Sequence, residues 1–300
     1  MQSLMAEDRT RRAFVADEIV CRCDLCGTDS FSTVDAASSV VECEGCGLRF
    51  VNPRPSQPQI AAAYSDPHFY DEWVEADEGR LRMWRKRLQV VRSAAPGNRL
   101  LDVGAGIGTF LALARDSAGW EVAGTEVSES AIALARRRYG IHLVQGQAED
   151  IELGSARFDI VTLWHVLEHV PSPMRLLEVC HEALAPGGLL VVAVPNDSES
   201  RVGFVSAKER IVHPIRRKRV KNLRYYPLRP DAEIHLSHFS PNTLVQLVRH
   251  AGFETRQVTV DDHYPEPSWK TAAIIAAYRL VHRIAGFNLG QAILVLADRP

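Results

Sequence analysis

The chain has 300 residues, 46% hydrophobic and 24% charged, with a formal net charge of −2. That length makes one large domain or two of ordinary size, and the near-neutral balance gives no global pull toward nucleic acid or an anionic membrane. No apolar run approaches the ~18 residues that span a bilayer. The opening MQSLMAEDRTRRAF mixes both charge signs where a signal peptide needs an apolar core, so a cytoplasmic location with reduced cysteines is expected.

Five of the six cysteines fall between positions 21 and 46. Cys23-x-x-Cys26 and Cys43-x-x-Cys46 are separated by sixteen residues, and each pair is followed by glycine (Gly27, Gly47). This is the spacing of paired zinc knuckles. Four thiolates suit tetrahedral Zn²⁺, and so short a segment has little core without a metal; disulfides or unrelated thiols are the alternative. Cys21 is spare and could compete as a ligand, whereas Cys180, in a helical pattern, reads as an inert core residue. The following LRFVNPRPSQPQ, with three prolines, reads as a stiff connector rather than a strand or helix. Residues 60–93 are helical in pattern and rich in Arg and Trp.

From Arg99 onward strands and helices alternate. The pattern predicts strands at 99–103, 120–125, about 141–145, 158–164 and 188–194, with helices at 107–118, 129–139 and 172–185 between them. An APGG turn precedes the strand at 188. Such alternation argues for an α/β fold with a parallel, doubly wound sheet. Residues 196–235 break the pattern: between 196 and 230 ten Lys/Arg face three acids, a net of +7. This basic insertion is open to three readings: a solvated surface, a lid over an anionic acceptor, or a contact with membrane headgroups or nucleic acid. A helix at 241–251, capped by Ser240 with Pro241 at its first position, leads to a strand at 254–260. An apolar helix at 269–285, explained most simply by packing on the sheet, and a strand at 291–297 end the chain. The expected division is a zinc-knuckle module with N-terminal extension (1–55), a helical linker or cap (56–96) and an α/β domain (97–300).

The most informative stretch is LLDVGAGIGTF, residues 100–110. A strand runs into Gly104, Gly106 and Gly108, where the backbone turns sharply and a ligand can lie against the main chain. A dinucleotide site prefers G-x-G-x-x-G. Here the spacing is G-x-G-x-G, and Asp102 would repel phosphates but suits a cation. Glu126 ends the next strand about twenty residues on, where an acid can hold two ribose hydroxyls. Together these fit S-adenosylmethionine, which carries an ammonium, a sulfonium and a ribose but no phosphate.

Methyl transfer from a sulfonium is a direct displacement that needs alignment and, for a hydroxyl or acidic carbon, a base. His165, Glu168 and His169 in WHVLEH sit at helical i, i+3, i+4 spacing and share a face. They read as an organic base, as a metal site, or as braces of the loop. His235 and His238 in HLSHFSP precede a helix and are further candidates, while His181 and His250 read as packing or surface residues.

With these residues in hand, the chain resembles class I S-adenosylmethionine-dependent methyltransferases over roughly residues 97–298. It is most similar to the branch with a zinc-binding N-terminal module. The matching pieces are LLDVGAGIG, EVAGTE, GQAED, FDIVTLWHVLEHVPSP, LAPGGLLVVAVPN and HLSHFSPNTL. The resemblance implies a Rossmann-like seven-stranded sheet with a reversed final hairpin. It implies that Asp102, Gly104, Ala105 and Gly106 line the methionine end of the cofactor, and that Glu126 and Val127 flank the ribose. Gln147, Ala148 and Glu149 would flank the adenine, with Trp164 and His165 beside the sulfonium. LEHVPSP also resembles the polyprenyl-quinone O-methyltransferases, whose E-x-x-E-H binds a divalent metal; here His165 replaces the first glutamate, and Mg²⁺ is the corresponding ion. The function implied is O- or C-methylation of a small-molecule, carbohydrate- or lipid-linked acceptor, which could be anionic, with peripheral membrane contact as an accompanying expectation. The alternatives are a zinc-ribbon methyltransferase acting on nucleic acid, disfavoured because no aromatic-and-basic stacking platform accompanies the knuckles, and a non-catalytic cofactor-binding protein.

Overall fold

A computed structural model of the chain describes residues 14–64, 77–147, 157–198, 225–229, 233–261 and 269–300. The expected basic insertion falls largely on residues outside these, as do Ala148 and Glu149. Two sheets organise the described residues. The larger has seven strands in the order β10-β11-β8-β7-β4-β5-β6: β4 (Arg99–Val103), β5 (Glu121–Glu126), β6 (Val144–Gln145), β7 (Phe158–Trp164), β8 (Leu184–Pro195), β10 (Glu254–Val260) and β11 (Ala292–Asp298). Pairing is parallel from β8 to β6 and antiparallel for β8–β11 and β11–β10. The chain moves outward from β4 to β6 and then returns to the other side of β4 with β7. That reversal opens a crevice beyond the carboxyl ends of β4 and β7, where α/β sheets bind ligands.

Sequence explains these elements simply. Strands Leu100–Val103 and Ile160–Trp164 are buried along their whole length and apolar except for Asp102 and Thr162, which pair with each other. Helices α3 (Thr109–Ala118) and α4 (Glu129–Tyr139) each end on a glycine in the left-handed region, Gly119 and Gly140, whose N–H closes the last turn. Helix α5 (Pro173–Ala183) has Pro173 at its start, and α6 (Pro241–His250) carries a full Ser240/Thr243 capping box.

The second sheet, in the order β1-β2-β3-β9, joins the cysteine module to the rest: β1 (Phe31–Asp35), β2 (Val40–Cys43) and β3 (Arg49–Val51) are extended by β9 (Ser237–His238). The module shares its core, for Cys23, Leu25, Cys43, Leu48 and Phe50 belong to one buried cluster with Leu167, Leu176 and Phe239. Cys180 lies in the same cluster, as expected.

Three readings need correction. The proline-rich stretch is not a bare connector, because β3 lies at its start and α1 (Gln57–Tyr64) begins at its end. Pro58 takes the second position of that helix, where no intrahelical N–H is required. The residues read as an APGG turn are the first part of β8, held by Gly187 N–H donating to the Arg299 carbonyl (2.8 Å) and by Arg299 N–H donating to Gly188 (2.9 Å). Helix α7 (Trp269–Ala285) does not bury an apolar face on the sheet: Ile275 is its one buried residue. The remaining helix, α2 (Asp77–Ala94), packs Met83, Trp84, Leu88 and Val91 against Phe110 and Ile160.

Candidate active site

The end of β4 turns through Gly104, Gly106 and Gly108, all with positive φ. At Gly104 (φ +67°) an added Cβ would lie 2.7 Å from a Val166 methyl, so both backbone and space require glycine there. Glu126 at the end of β5 ties this loop down. Its Oε2 accepts from Gly106 N–H (2.8 Å), and its Oε1 accepts from Val127 (2.8 Å) and Ser128 (3.0 Å). Beneath the loop Asp102 is 2% exposed and accepts from Thr162 Oγ1 at 2.5 Å. Burial, aided by the nearby Glu126 charge and opposed by that hydrogen bond, raises its pKa to about 7. A cationic ligand above the loop would favour the ionised form.

The loop, Glu126 and the segment Gln145–Gln147 line one side of a cavity of about 960 Å³. That volume is near the upper end for small-molecule sites and leaves room for a second ligand beside a nucleoside. Trp164, at the end of β7, also lines it, and its buried Nε1–H has no hydrogen-bond partner among the described residues. Opposite lies a wall built by the segment expected to be a helical linker or cap: Ile60 and Tyr64 from α1, and Arg80, Met83, Trp84 and Arg87 from α2.

His165 follows Trp164 with φ +57°, a conformation costly for a non-glycine residue and maintained only when the surroundings hold it. Arg87 Nη2 donates to His165 Nε2 (3.1 Å) while pairing with Asp261 at 2.5 Å, and its guanidinium stacks 4.6 Å from the Trp164 ring. With Nε2 accepting, the ring proton sits on Nδ1 and is donated to Glu168 Oε1 at 3.2 Å. His165 is thereby committed to orienting Glu168, and no lone pair is left to act as a base.

His169 has the opposite arrangement. Its Nδ1 lies 2.7 Å from the Ile234 carbonyl, an acceptor only, so Nδ1 carries the proton. Tyr64 Oη lies 2.8 Å from the same nitrogen. Among the described residues Nε2 has no hydrogen-bond partner; it lies 3.8 Å from Glu168 Oε1, and the ring lines the cavity. Burial holds the His169 pKa below the ordinary imidazole value, with the Glu168 charge pulling the other way. For Glu168, burial acts to raise the pKa, but the His165 hydrogen bond and the charges of His169 and His235 outweigh it, so the carboxyl stays below its usual range.

His235 reaches the same cavity because Leu236 and Ser237 N–H groups donate to the Glu168 carbonyl (2.7 and 3.1 Å). It packs 4.9 Å from the His169 ring and faces Glu233 (3.5 Å), which the His235 hydrogen bond lowers to about 2. His238 is not brought in. It sits on β9, paired with Asp197 at 3.1 Å and packed on Tyr225, and is not among the cavity-lining residues; it lies an odd number of residues, three, from His235, which on extended backbone puts the two side chains on opposite faces. His181 packs on Phe253 and His250 is exposed.

At the other end of the module the four cysteines converge. Cys23–Cys46 and Cys26–Cys43 sulfurs are 3.5 and 3.4 Å apart, and one ligand atom from each of the four residues lies within 4.8 Å of the others. Those distances exceed a ~2.05 Å disulfide and approach the edges, about 3.8 Å, of a tetrahedron with 2.3 Å Zn–S bonds. Cys21 is exposed and outside the group. Asp24, between Cys23 and Cys26, accepts from Ser172 Oγ and Met174 N–H, both at 2.7 Å, and Arg54 donates to the Pro171 carbonyl (2.9 Å). The module therefore braces the turn that carries His169.

A family model described as a methyltransferase domain matches residues 70–258. A ubiquinone biosynthesis O-methyltransferase of Thiobacillus denitrificans is 32% identical over 186 residues, covering 58% of this chain and 72% of that protein. One of the same name from Aromatoleum aromaticum is 30% identical over 173 residues, 54% of this chain and 66% of the relative. Among solved structures, the magnesium protoporphyrin IX methyltransferase of Synechocystis with bound S-adenosylhomocysteine superimposes with a TM-score of 0.53, over 82% of this chain and all of that one, at 11% identity. At that identity the likeness is one of fold.

Proposed function

Because the chain belongs to the methyltransferase-domain family, whose members here are S-adenosylmethionine-dependent enzymes, we propose that it transfers a methyl group to a hydroxyl oxygen of a small-molecule acceptor, with His169 as base and Glu168 as its partner. The observation that carries this reading is the half-buried imidazole of His169, its Nδ1 held by the Ile234 carbonyl, on the cavity that also contains the Gly104–Gly106 loop and Glu126. The O-methyltransferase activity for which the ubiquinone-biosynthesis relatives are named supports oxygen as the acceptor atom.

In this reading Glu126 takes the ribose hydroxyls, Gln145–Gln147 border the adenine, and Asp102 balances the cationic methionyl end. The bound cofactor supplies an electrophilic methyl on a sulfonium. His169 Nε2 accepts the acceptor's hydroxyl proton as the oxygen displaces the thioether, and Glu168 stabilises the imidazolium formed. His165 and Arg87 position Glu168 for that task. Ile60, Met83 and Leu176 give the acceptor an apolar wall, suited to a lipid-linked molecule. Arg80, pulled down to about 10 chiefly by burial yet still charged at neutral pH, suits a carboxylate on either ligand.

The test is transfer of labelled methyl from S-adenosylmethionine to hydroxylated aromatic acceptors. Labelled ether with equimolar S-adenosylhomocysteine is expected; label confined to carbon or nitrogen acceptors would overturn the assignment.

A second reading has its own observation. Glu168, His169 and His235 offer ligand atoms within 4.8 Å of one another, and Glu168 Oε2 is buried without a partner. Two imidazoles and a carboxylate suit a transition ion better than Mg²⁺. Turnover abolished by chelator and restored by Zn²⁺ or Mn²⁺ would favour this reading over the organic base.

The four cysteines are read as a structural zinc site. Purified protein should contain close to one zinc per chain, lost in Cys43→Ser; intramolecular disulfides found by mass spectrometry would contradict it.

A further inference from the structure

Five of the ten exposed large hydrophobic side chains among the described residues lie between 269 and 287. Trp269 is 77% exposed, Leu280 57%, Ile284 76% and Phe287 56%. At 100° per residue, Ala273, Ala277, Leu280 and Ile284 form one continuous stripe of α7, with Trp269 and Ala276 beside it. The opposite side fixes the helix to the sheet: Ile275 is 2% exposed, and His282 Nε2 donates to the Val258 carbonyl at 3.0 Å. The stripe therefore points to solvent by construction. Exposed Lys270 and Arg283 border it, and residues 269–287 contain no Asp or Glu.

We propose that this face of α7 docks in the plane of an anionic lipid bilayer, with the apolar stripe in the headgroup–acyl boundary and Lys270 and Arg283 against the phosphates. The proposal deepens the expected membrane contact by assigning it to a described helix, and it stands independently of the reaction assigned above. A large apolar face, an aromatic at one end and flanking cations are what interfacial helices use. No described helix is long and apolar enough to cross the bilayer, which leaves the in-plane arrangement. A second copy of this chain fits the face poorly: a two-fold contact would bring the cations bordering the stripe on one helix toward those on the other. The placement also suits the cavity. Gln291, four residues beyond Phe287, lines it, and the connecting turn is anchored where Asn196 Nδ2 donates to the Asn288 (2.8 Å) and Gly290 (3.0 Å) carbonyls. An acceptor with an apolar tail would then enter from the membrane side, a consequence that does rest on the proposed function.

The experiment is co-sedimentation of the full chain with phosphatidylcholine vesicles, with and without phosphatidylglycerol. Binding to the anionic vesicles only is expected, weakening with salt as screening over a Debye length of about 8 Å sets in. Leu280→Ser with Ile284→Ser changes two exposed side chains and should lower partitioning on the order of tenfold for each, while calorimetric binding of S-adenosylhomocysteine stays at the wild-type value. Arg283→Gln should lower it on anionic vesicles. Wild-type protein that ignores anionic vesicles, or a double variant that binds as well as wild type, would overturn the proposal. So would a wild-type dimer that the double variant converts to monomer, since the face would then be an interface between chains.

Discussion

His169→Ala is expected to lower turnover ~10²–10⁴-fold while leaving affinity for S-adenosylhomocysteine within about twofold of wild type. The imidazole lines the cavity, and among the described residues no hydrogen bond connects it to the glycine loop or Glu126. Loss of cofactor affinity in step with turnover would make the residue a brace of the 165–172 turn instead. The pH profile supplies a second readout. Burial holds the His169 pKa below the usual imidazole value, so Nε2 is unprotonated at neutral pH. Activity should fall only as acid protonates it below that value. In Glu168→Gln the carboxylate that favours the imidazolium is gone, so the acid limb should move to still lower pH as the rate drops. An unmoved limb would separate Glu168 from the proton transfer.

Gly104→Val should abolish measurable cofactor binding. Its φ of +67° is strained for any side chain and worst for a β-branched one, and the first added carbon would meet Val166 at 2.7 Å. Relief of that contact moves Val166, which lies between His165 and the Glu168–His169 pair. Calorimetry with S-adenosylhomocysteine reads the loss, and a thermal melt separates it from unfolding. Wild-type affinity in this variant would place the cofactor elsewhere.

What the sequence made legible follows the range of the interactions. The glycine loop, Asp102 and Glu126 announce themselves because their geometry is local: a strand end, a turn and an acid twenty residues on. The cysteine pairs are legible for the same reason. The other wall of the cavity is built from long-range pairings that no periodicity reports. Arg87 meets Asp261 across 174 residues, and Tyr64 reaches His169 across 105. Strand β9 is two residues long, too short for any alternation to register, and yet it decides that His235 enters the cavity while His238 turns away. His165 shows a further limit. Residue type and i, i+3, i+4 spacing made it a candidate base, but the Arg87 donor that fixes its tautomer lies on a helix 78 residues earlier. The connection of the cysteine module to the reaction side was invisible for the same reason, since Asp24 caps the start of α5 from 148 residues away.

The central claim is that one cavity holds an adenosyl cofactor on the Gly104–Gly106 loop with its sulfur directed toward the His169 side. A crystal structure of the protein with S-adenosylhomocysteine tests it directly. The expected complex has both ribose hydroxyls on Glu126, the adenine against Gln145–Gln147, and the sulfur beside Trp164 and His165 with open space between it and His169 Nε2. A ligand bound away from the glycine loop, or one whose sulfur points away from His169, would contradict the account.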